Sequence, residues 1–167
     1  MASKPLAPPP ANPEPPNGPA WTPYKRTPRQ VANAELQIAV LRAANQLMEE
    51  FTALLKPLDL SPAQFNVLRI LRGAGPEGAT CGEVIDRLIQ RDPDVTRLLD
   101  RLERRGLIDR GRDSRDRRIV RTRITARGLE MLAALDEPVD ELHARRVGHL
   151  SDRQMADLRK LLEELTS

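Results

Sequence analysis

A change of hydrophobic period at Gly106 does most to limit what this chain can fold into. Before it, Val95, Leu98, Leu99 and Leu102 stand at offsets 0, 3, 4 and 7, one apolar stripe of an α-helix. After it, Val120, Thr122 and Ile124 alternate with Arg121 and Arg123, the two-residue period of a strand packed on one face. Glycine adopts the left-handed conformation that ends helices, so Gly106 marks the boundary. Leu107 to Arg112 and Arg117 to Thr125 read as two strands around a turn at Asp113-Ser114-Arg115. The fold must therefore hold a helix directly against a short hairpin.

The same segment carries the charge. Residues 87–127 hold 14 Arg and 7 Asp/Glu, whereas the remainder holds 13 Lys/Arg and 17 Asp/Glu. A net charge of +3 thus hides a basic patch on an acidic body, the footprint of a polyanion partner. A solvated charged face is the plainer alternative. Aromatic residues make up only 2%, which argues against modules that stack single-stranded bases on rings. Cys81 is the one cysteine, so no intrachain disulfide can form, which fits a reducing compartment. No apolar run approaches the roughly 18 residues of a membrane span. The N-terminus lacks the apolar core of a signal peptide, so a cytoplasmic protein with no membrane partner is expected. No Ser/His/Asp set, phosphate-binding glycine loop or metal cluster is found, and His143 and His149 do not share a helix face well. Neither an enzyme nor a resident cofactor or metal is expected.

Ten of the 15 prolines fall in residues 1–28, which should form a disordered tail. It reads as an inert solubilising arm, or as a docking arm using Trp21, Tyr24, Lys25 and Arg26. From Arg29 the pattern is helical through Val31, Ile38, Leu41, Leu47, Phe51 and Leu55, until Pro57 ends it. Ser61-Pro62-Ala63-Gln64 is a capping box that opens a second helix. Thr80-Cys81-Gly82-Glu83 repeats that pattern before a short third helix whose Val84, Ile85 and Leu88 should face inward. Gln90-Arg91 forms a tight turn, and Asp92-Pro93 caps and starts the fourth helix. Short helix, tight turn, helix is helix-turn-helix spacing. Thr125 and Ser151 cap two further helices, the first containing Pro138. The fold class expected is mainly α with a small β-hairpin wing, a winged helix-turn-helix flanked by N- and C-terminal helices.

Such a fold meets double-stranded DNA with the start of its recognition helix and with its wing. Thr96 and Arg97 are placed for base reading, Thr96 on a thymine methyl or phosphate and Arg97 forked onto guanine. Arg101, one turn on, suits phosphate. Ser61 and Thr80 aim helix N-termini where phosphate can sit, or serve only as caps. Asp92 and Asp94 favour a helix N-terminus but repel phosphate. Asp94 either accepts from a cytosine amino group, or caps the helix and bridges to Arg97 or Arg91. The hairpin carries Arg110, Arg112, Arg115, Arg117, Arg118, Arg121 and Arg123, and arginine at a ribbon tip suits a narrow minor groove. Asp116 stands two residues before Arg118, where its carboxylate can orient the guanidinium, or form a surface pair of at most about 1 kcal/mol.

These residues resemble the MarR family of bacterial transcriptional regulators. The resemblance rests on Val95-Thr96-Arg97-Leu98, Asp100-Arg101-Leu102-Glu103, Arg105-Gly106-Leu107-Ile108, Asp116-Arg117-Arg118 and Ile124-Thr125 with Gly128. Leu60 to Phe65 resembles the family's entry to its second helix. Ile124 stands where leucine is usual, and Asp92 and Asp94 where small polar residues are commoner. The resemblance spans about Arg29 to Leu165. It implies a domain over 29–167, with a DNA-binding lobe at about 57–127 and dimerisation helices at 29–56 and 128–167. It also implies a homodimer on a palindromic operator, acting as a ligand-responsive repressor whose effector is a small aromatic or anionic molecule. Cys81 does not match the family's sensing cysteine, so a packed thiol is expected there. The rival reading is a winged-helix interaction module whose basic wing holds an acidic protein partner.

Overall fold

The computed structural model describes residues 24–89, 94–113 and 116–166. The chain divides into two compact units, residues 1–39 and 40–167. Within the first, Thr27 and Gln30 cap helix α1 (Pro28–Leu55) reciprocally. The Thr27 hydroxyl accepts from the Gln30 N–H at 3.3 Å, and the Gln30 side chain accepts from the Thr27 N–H at 2.8 Å. Of the expected tail only residues 24–28 are described. Tyr24, Lys25 and Arg26 are exposed there, and Trp21 lies outside the described residues.

In the second unit the end of α1 passes through a 3-10 turn, Lys56–Leu58, to α2 (Pro62–Ala74). A two-residue strand β1 (Ala79–Thr80) leads into α3 (Cys81–Arg87), then α4 (Val95–Arg104), β2 (Ile108–Arg112) and β3 (Val120–Ile124). Helices α5 (Ala126–Val147) and α6 (Asp152–Glu164) follow, with Pro138 inside α5. The strands form one antiparallel sheet in the order β1-β3-β2. This is a mainly helical winged helix-turn-helix fold.

The core forms where α2, α4 and α5 meet the base of the sheet, around Leu68, Leu71, Leu99, Leu102, Leu107 and Leu132. Each is an aliphatic side chain removed from water, worth roughly 1.5–3 kcal/mol when fully buried. The α4 stripe is buried as its spacing requires. Its end is a Schellman motif: the Leu107 N–H reaches the Leu102 carbonyl at 3.1 Å, and the Gly106 N–H reaches Glu103 at 2.8 Å. Gly106 has φ +68°, a conformation costly for any residue with a Cβ.

Three expectations need correction. The strands are shorter than read: β2 begins at Ile108 and β3 spans only Val120–Ile124, because pairing stops where the Asp113 N–H reaches the Ile119 carbonyl at 2.8 Å; Ser114 and Arg115 of the expected turn lie outside the described residues. The expected alternation of β3 is only partly present: Thr122 is 1% exposed at the sheet centre, Ile124 is half-buried like Arg121 and Arg123, and Val120 is 52% exposed at the far end of the strand from the core. In α3 only Val84 is fully buried, and Ile85 is 42% exposed. A helix of two turns meets its neighbours along a narrow stripe, and Ile85 lies about 100° around from Val84.

Candidate nucleic-acid interface

The start of α4 is built by Asp94, which makes the helix begin at Val95. Its side chain accepts from the Arg97 N–H at 3.3 Å, and its carboxylate also meets Arg97 Nε at 3.0 Å. Asp94 is therefore both the helix cap and the ion-pair partner of Arg97, the residue expected from sequence to read bases. Asp92, expected as the cap, lies outside the described residues with Pro93. Thr96 and Arg97 are both exposed, and the Arg97 side chain is 78% exposed despite its ion pair.

With one stripe of α4 buried, its remaining polar positions divide into two. Arg97, Arg101 and Arg104 follow one another at offsets 0, 4 and 7 and are all exposed. Asp100 and Glu103 lie on a different flank and face the hairpin. Arg110 of β2 donates to the Glu103 carboxylate from Nε at 2.9 Å, and its Nη2 donates to both Glu103 and Asp100. These bonds, to Glu103 first and Asp100 second, raise the Arg110 pKa above its ordinary value. Arg110 is thus a clamp between wing and helix.

Other arginines of the basic segment are engaged in the same internal way. Arg121 donates to Asp113, a carboxylate almost removed from water, which raises the pKa of the guanidinium. Arg123 donates to the Pro76 carbonyl at 3.0 Å. Arg105 donates to the carbonyls of Leu58 and Asp59. The exposed arginines of the described wing are Arg112, Arg117 and Arg118. Arg115 lies outside the described residues.

Asp116 does not hold the Arg118 guanidinium. Its Oδ1 accepts the backbone N–H of Arg118 at 2.9 Å, and its own N–H donates to Asp113 Oδ1 at 3.3 Å. Residues 117 and 118 form a turn, so the same-face argument for a strand does not apply. Asp116 shapes the wing tip and leaves the Arg118 side chain without an ion pair among the described residues.

Ser61 and Thr80 are both capping-box residues. The Ser61 hydroxyl accepts from the Gln64 N–H at 3.2 Å, and the Thr80 hydroxyl from the Glu83 N–H at 3.2 Å. The reciprocal bond from the Thr80 N–H, with the hydroxyl, lowers the Glu83 pKa. Cys81 is half-buried in the first turn of α3.

Sequence reasoning did not find the Arg110 clamp or the Asp113–Arg121 pair. Asp100 and Glu103 on one helix flank were the available signal, but their partner lies across the turn at Gly106. It also did not locate a cavity of about 360 Å³ with apolar walls that include Leu47, Met48, Phe51 and Val139. Asn66, Arg69 and His143 are its polar members, and Arg69 lies over the Phe65 ring at 5.9 Å. Among the described residues, no helix is long and apolar enough to cross a membrane.

A profile described as the MarR family matches residues 58–119, the stretch from the end of the first 3-10 turn through the wing tip. The crystal structure of a MarR transcription factor from Planctomyces limnophilus is 34% identical, with a TM-score of 0.61; the match covers 84% of this chain and 98% of that one. A cysteine-to-serine mutant of MarR from E. coli, complexed with operator DNA, is 27% identical with a TM-score of 0.70, covering 80% and 94%. The HTH-type transcriptional repressor IacR of Pseudomonas putida is 28% identical over 122 residues, 73% of this chain and 72% of that one.

Proposed function

The chain belongs to the MarR family of DNA-binding transcriptional regulators, and from that premise we propose that it is a ligand-responsive repressor, acting as a cytoplasmic homodimer on a palindromic operator. The observation that carries DNA recognition is α4 itself. Its apolar stripe is buried, Thr96, Arg97 and Arg101 are exposed, and Arg110 braces it against the wing.

In this reading Thr96 and Arg97 meet base edges and Arg101 meets phosphate. Arg115, Arg117 and Arg118 enter the minor groove at the wing, on a tip shaped by Asp116. The caps use only the hydroxyl oxygens of Ser61 and Thr80, so both O–H groups remain as donors to phosphate. Asp94 holds Arg97 until a base edge competes for it, or accepts from cytosine itself. Two-fold symmetry sets half-sites about one helical turn apart.

Dimerisation through residues 29–56 and 128–167 is supported by α6, which has no buried residue although Met155, Leu158, Leu161, Leu162 and Leu165 recur along it. An isolated 13-residue helix is marginal in water, so such a face needs a partner. The 360 Å³ cavity supports ligand control. Apolar walls with an arginine and a histidine suit a small aromatic acid.

The test is a gel shift with duplex from the gene's own upstream region. Binding that falls by about 10³–10⁵ between 50 and 200 mM salt is expected if six to ten phosphates are contacted. Failure to shift any duplex, with tight binding to an acidic protein instead, would replace this reading with an interaction module.

A further inference from the structure

We propose that the cleft between the C-terminal half of α4 and the start of α2 is a second DNA-phosphate site, held by Lys56, Arg101 and Arg104. The inference rests on the DNA-binding reading above and extends its footprint from Arg101 and Ser61 to Lys56 and Arg104. The cleft has a volume of about 670 Å³, and its lining includes Lys56, Asp59, Ser61, Arg101, Arg104 and Arg105. Four of these are cations and one is an acid.

Their bonding decides which cations can take a ligand. Arg105 is engaged by the carbonyls of Leu58 and Asp59, with the Asp59 carboxylate 3.9 Å away. It therefore fixes the 3-10 turn Lys56–Leu58 against α4 and answers the one acid of the cleft. Among the described residues Arg104 hydrogen-bonds only to the Asp100 carbonyl of its own helix, at 3.4 Å. Lys56 and Arg101 meet no carboxylate among the described residues, and all three are exposed. The first turn of α2 lines the same cleft and adds the positive end of a helix dipole. Unneutralised ammonium and guanidinium groups converging on a concave surface suit phosphate oxygens.

The scale selects DNA as the source of that phosphate. Arg97 and Arg104 are separated by seven residues, about 10 Å along the helix axis. The major groove is about 12 Å wide. A helix with its first turn on base edges therefore carries Arg104 toward the backbone that borders the groove, and with it the cleft that Lys56 shares. Phosphate contacts there hold the helix in register and carry no base information.

The test combines Lys56→Gln with Arg104→Gln in the full-length protein, with thermal unfolding to check that the fold is kept. Fluorescence anisotropy on operator and scrambled duplexes, between about 50 and 200 mM salt, gives affinity and salt slope. The expected result is weakening of about tenfold on both duplexes alike, with a salt slope shallower by about 1–2. The Lys56→Arg variant should keep the wild-type slope. A variant that binds both duplexes with unchanged affinity and slope overturns the proposal, as does a loss confined to the operator. Inorganic phosphate titrated into the wild type, shifting Lys56 and Arg104 resonances while the duplex slope is unaffected by their substitution, would reassign the cleft to a small anion. Wild-type protein that binds no duplex removes the DNA-binding reading itself, a result separate from any of these.

Discussion

At the wing tip, one backbone hydrogen bond decides what an arginine can do. Asp116 uses its carboxylate on the Arg118 N–H, so the turn is held while the Arg118 guanidinium stays outside the ion-pair network among the described residues. Arg121, three residues on, is engaged by Asp113 and lies partly covered. Two arginines in one hairpin thus have opposite roles, one exposed and one structural. Arg118→Ala is expected to weaken operator binding by about 1–3 kcal/mol with unfolding unchanged. Anisotropy titration and a melting curve on the same sample check this, and undiminished affinity would reduce Arg118 to a surface charge. Asp94 and Arg97 show the same economy at the helix start: one carboxylate both caps α4 and restrains the Arg97 side chain, the one proposed above to meet base edges.

Among the elements, the junction between α4, the wing and α5 fixes the geometry on which recognition depends. The Schellman turn at Gly106 sends the chain directly from helix to strand. Thr125 then donates its N–H to the Leu107 carbonyl at 3.1 Å and its hydroxyl proton to Gly106 at 2.7 Å. Gly128 lets α5 start against that carbonyl, since a Cβ there would lie 2.3 Å from the Leu107 oxygen. Arg110 completes the junction through Glu103 and Asp100. Arg110→Ala should cost about 1 kcal/mol of stability, because the carboxylates it leaves are partly solvated. Its larger effect should be on DNA affinity, through a wing no longer braced against α4. Arg110→Lys should recover little, since one nitrogen cannot replace Nε and Nη2, which donate from separate positions in the guanidinium plane. Urea unfolding beside duplex titration separates the two effects; equal losses in both would make the pair purely structural.

For the molecule as a whole, the uncovered apolar faces matter more than the core. Leu161 of α6 and Leu165 at its C-cap are each 60% exposed, and Leu41 of α1 is comparably open. Faces of this kind mark association surfaces, and two copies joined by a two-fold axis satisfy them with one self-complementary patch. Leu158→Glu with Leu162→Glu is expected to yield monomers by sedimentation equilibrium and to abolish tight binding to a palindrome while sparing weak half-site binding. A double variant that remains dimeric would move the interface away from α6.

The local features were legible from residue order because their causes are local. The Ser61 and Thr80 capping boxes, the Ser151 cap, the α4 stripe and the Gly106 stop each depend on residues a few positions apart, and each stands where it was read. The alternation read for β3 located the buried Thr122, but not the exposure of Val120, which depends on where the layer beneath the strand ends. The partners of charged groups were the least legible. Arg110 meets Glu103 across a turn, and Arg72 meets Asp136 64 positions away at 2.9 Å. A count of arginines could therefore establish that residues 87–127 are basic. Only tertiary packing decided which of those arginines brace the fold and which are left exposed, because a guanidinium's role is set by the acceptors that folding brings within reach.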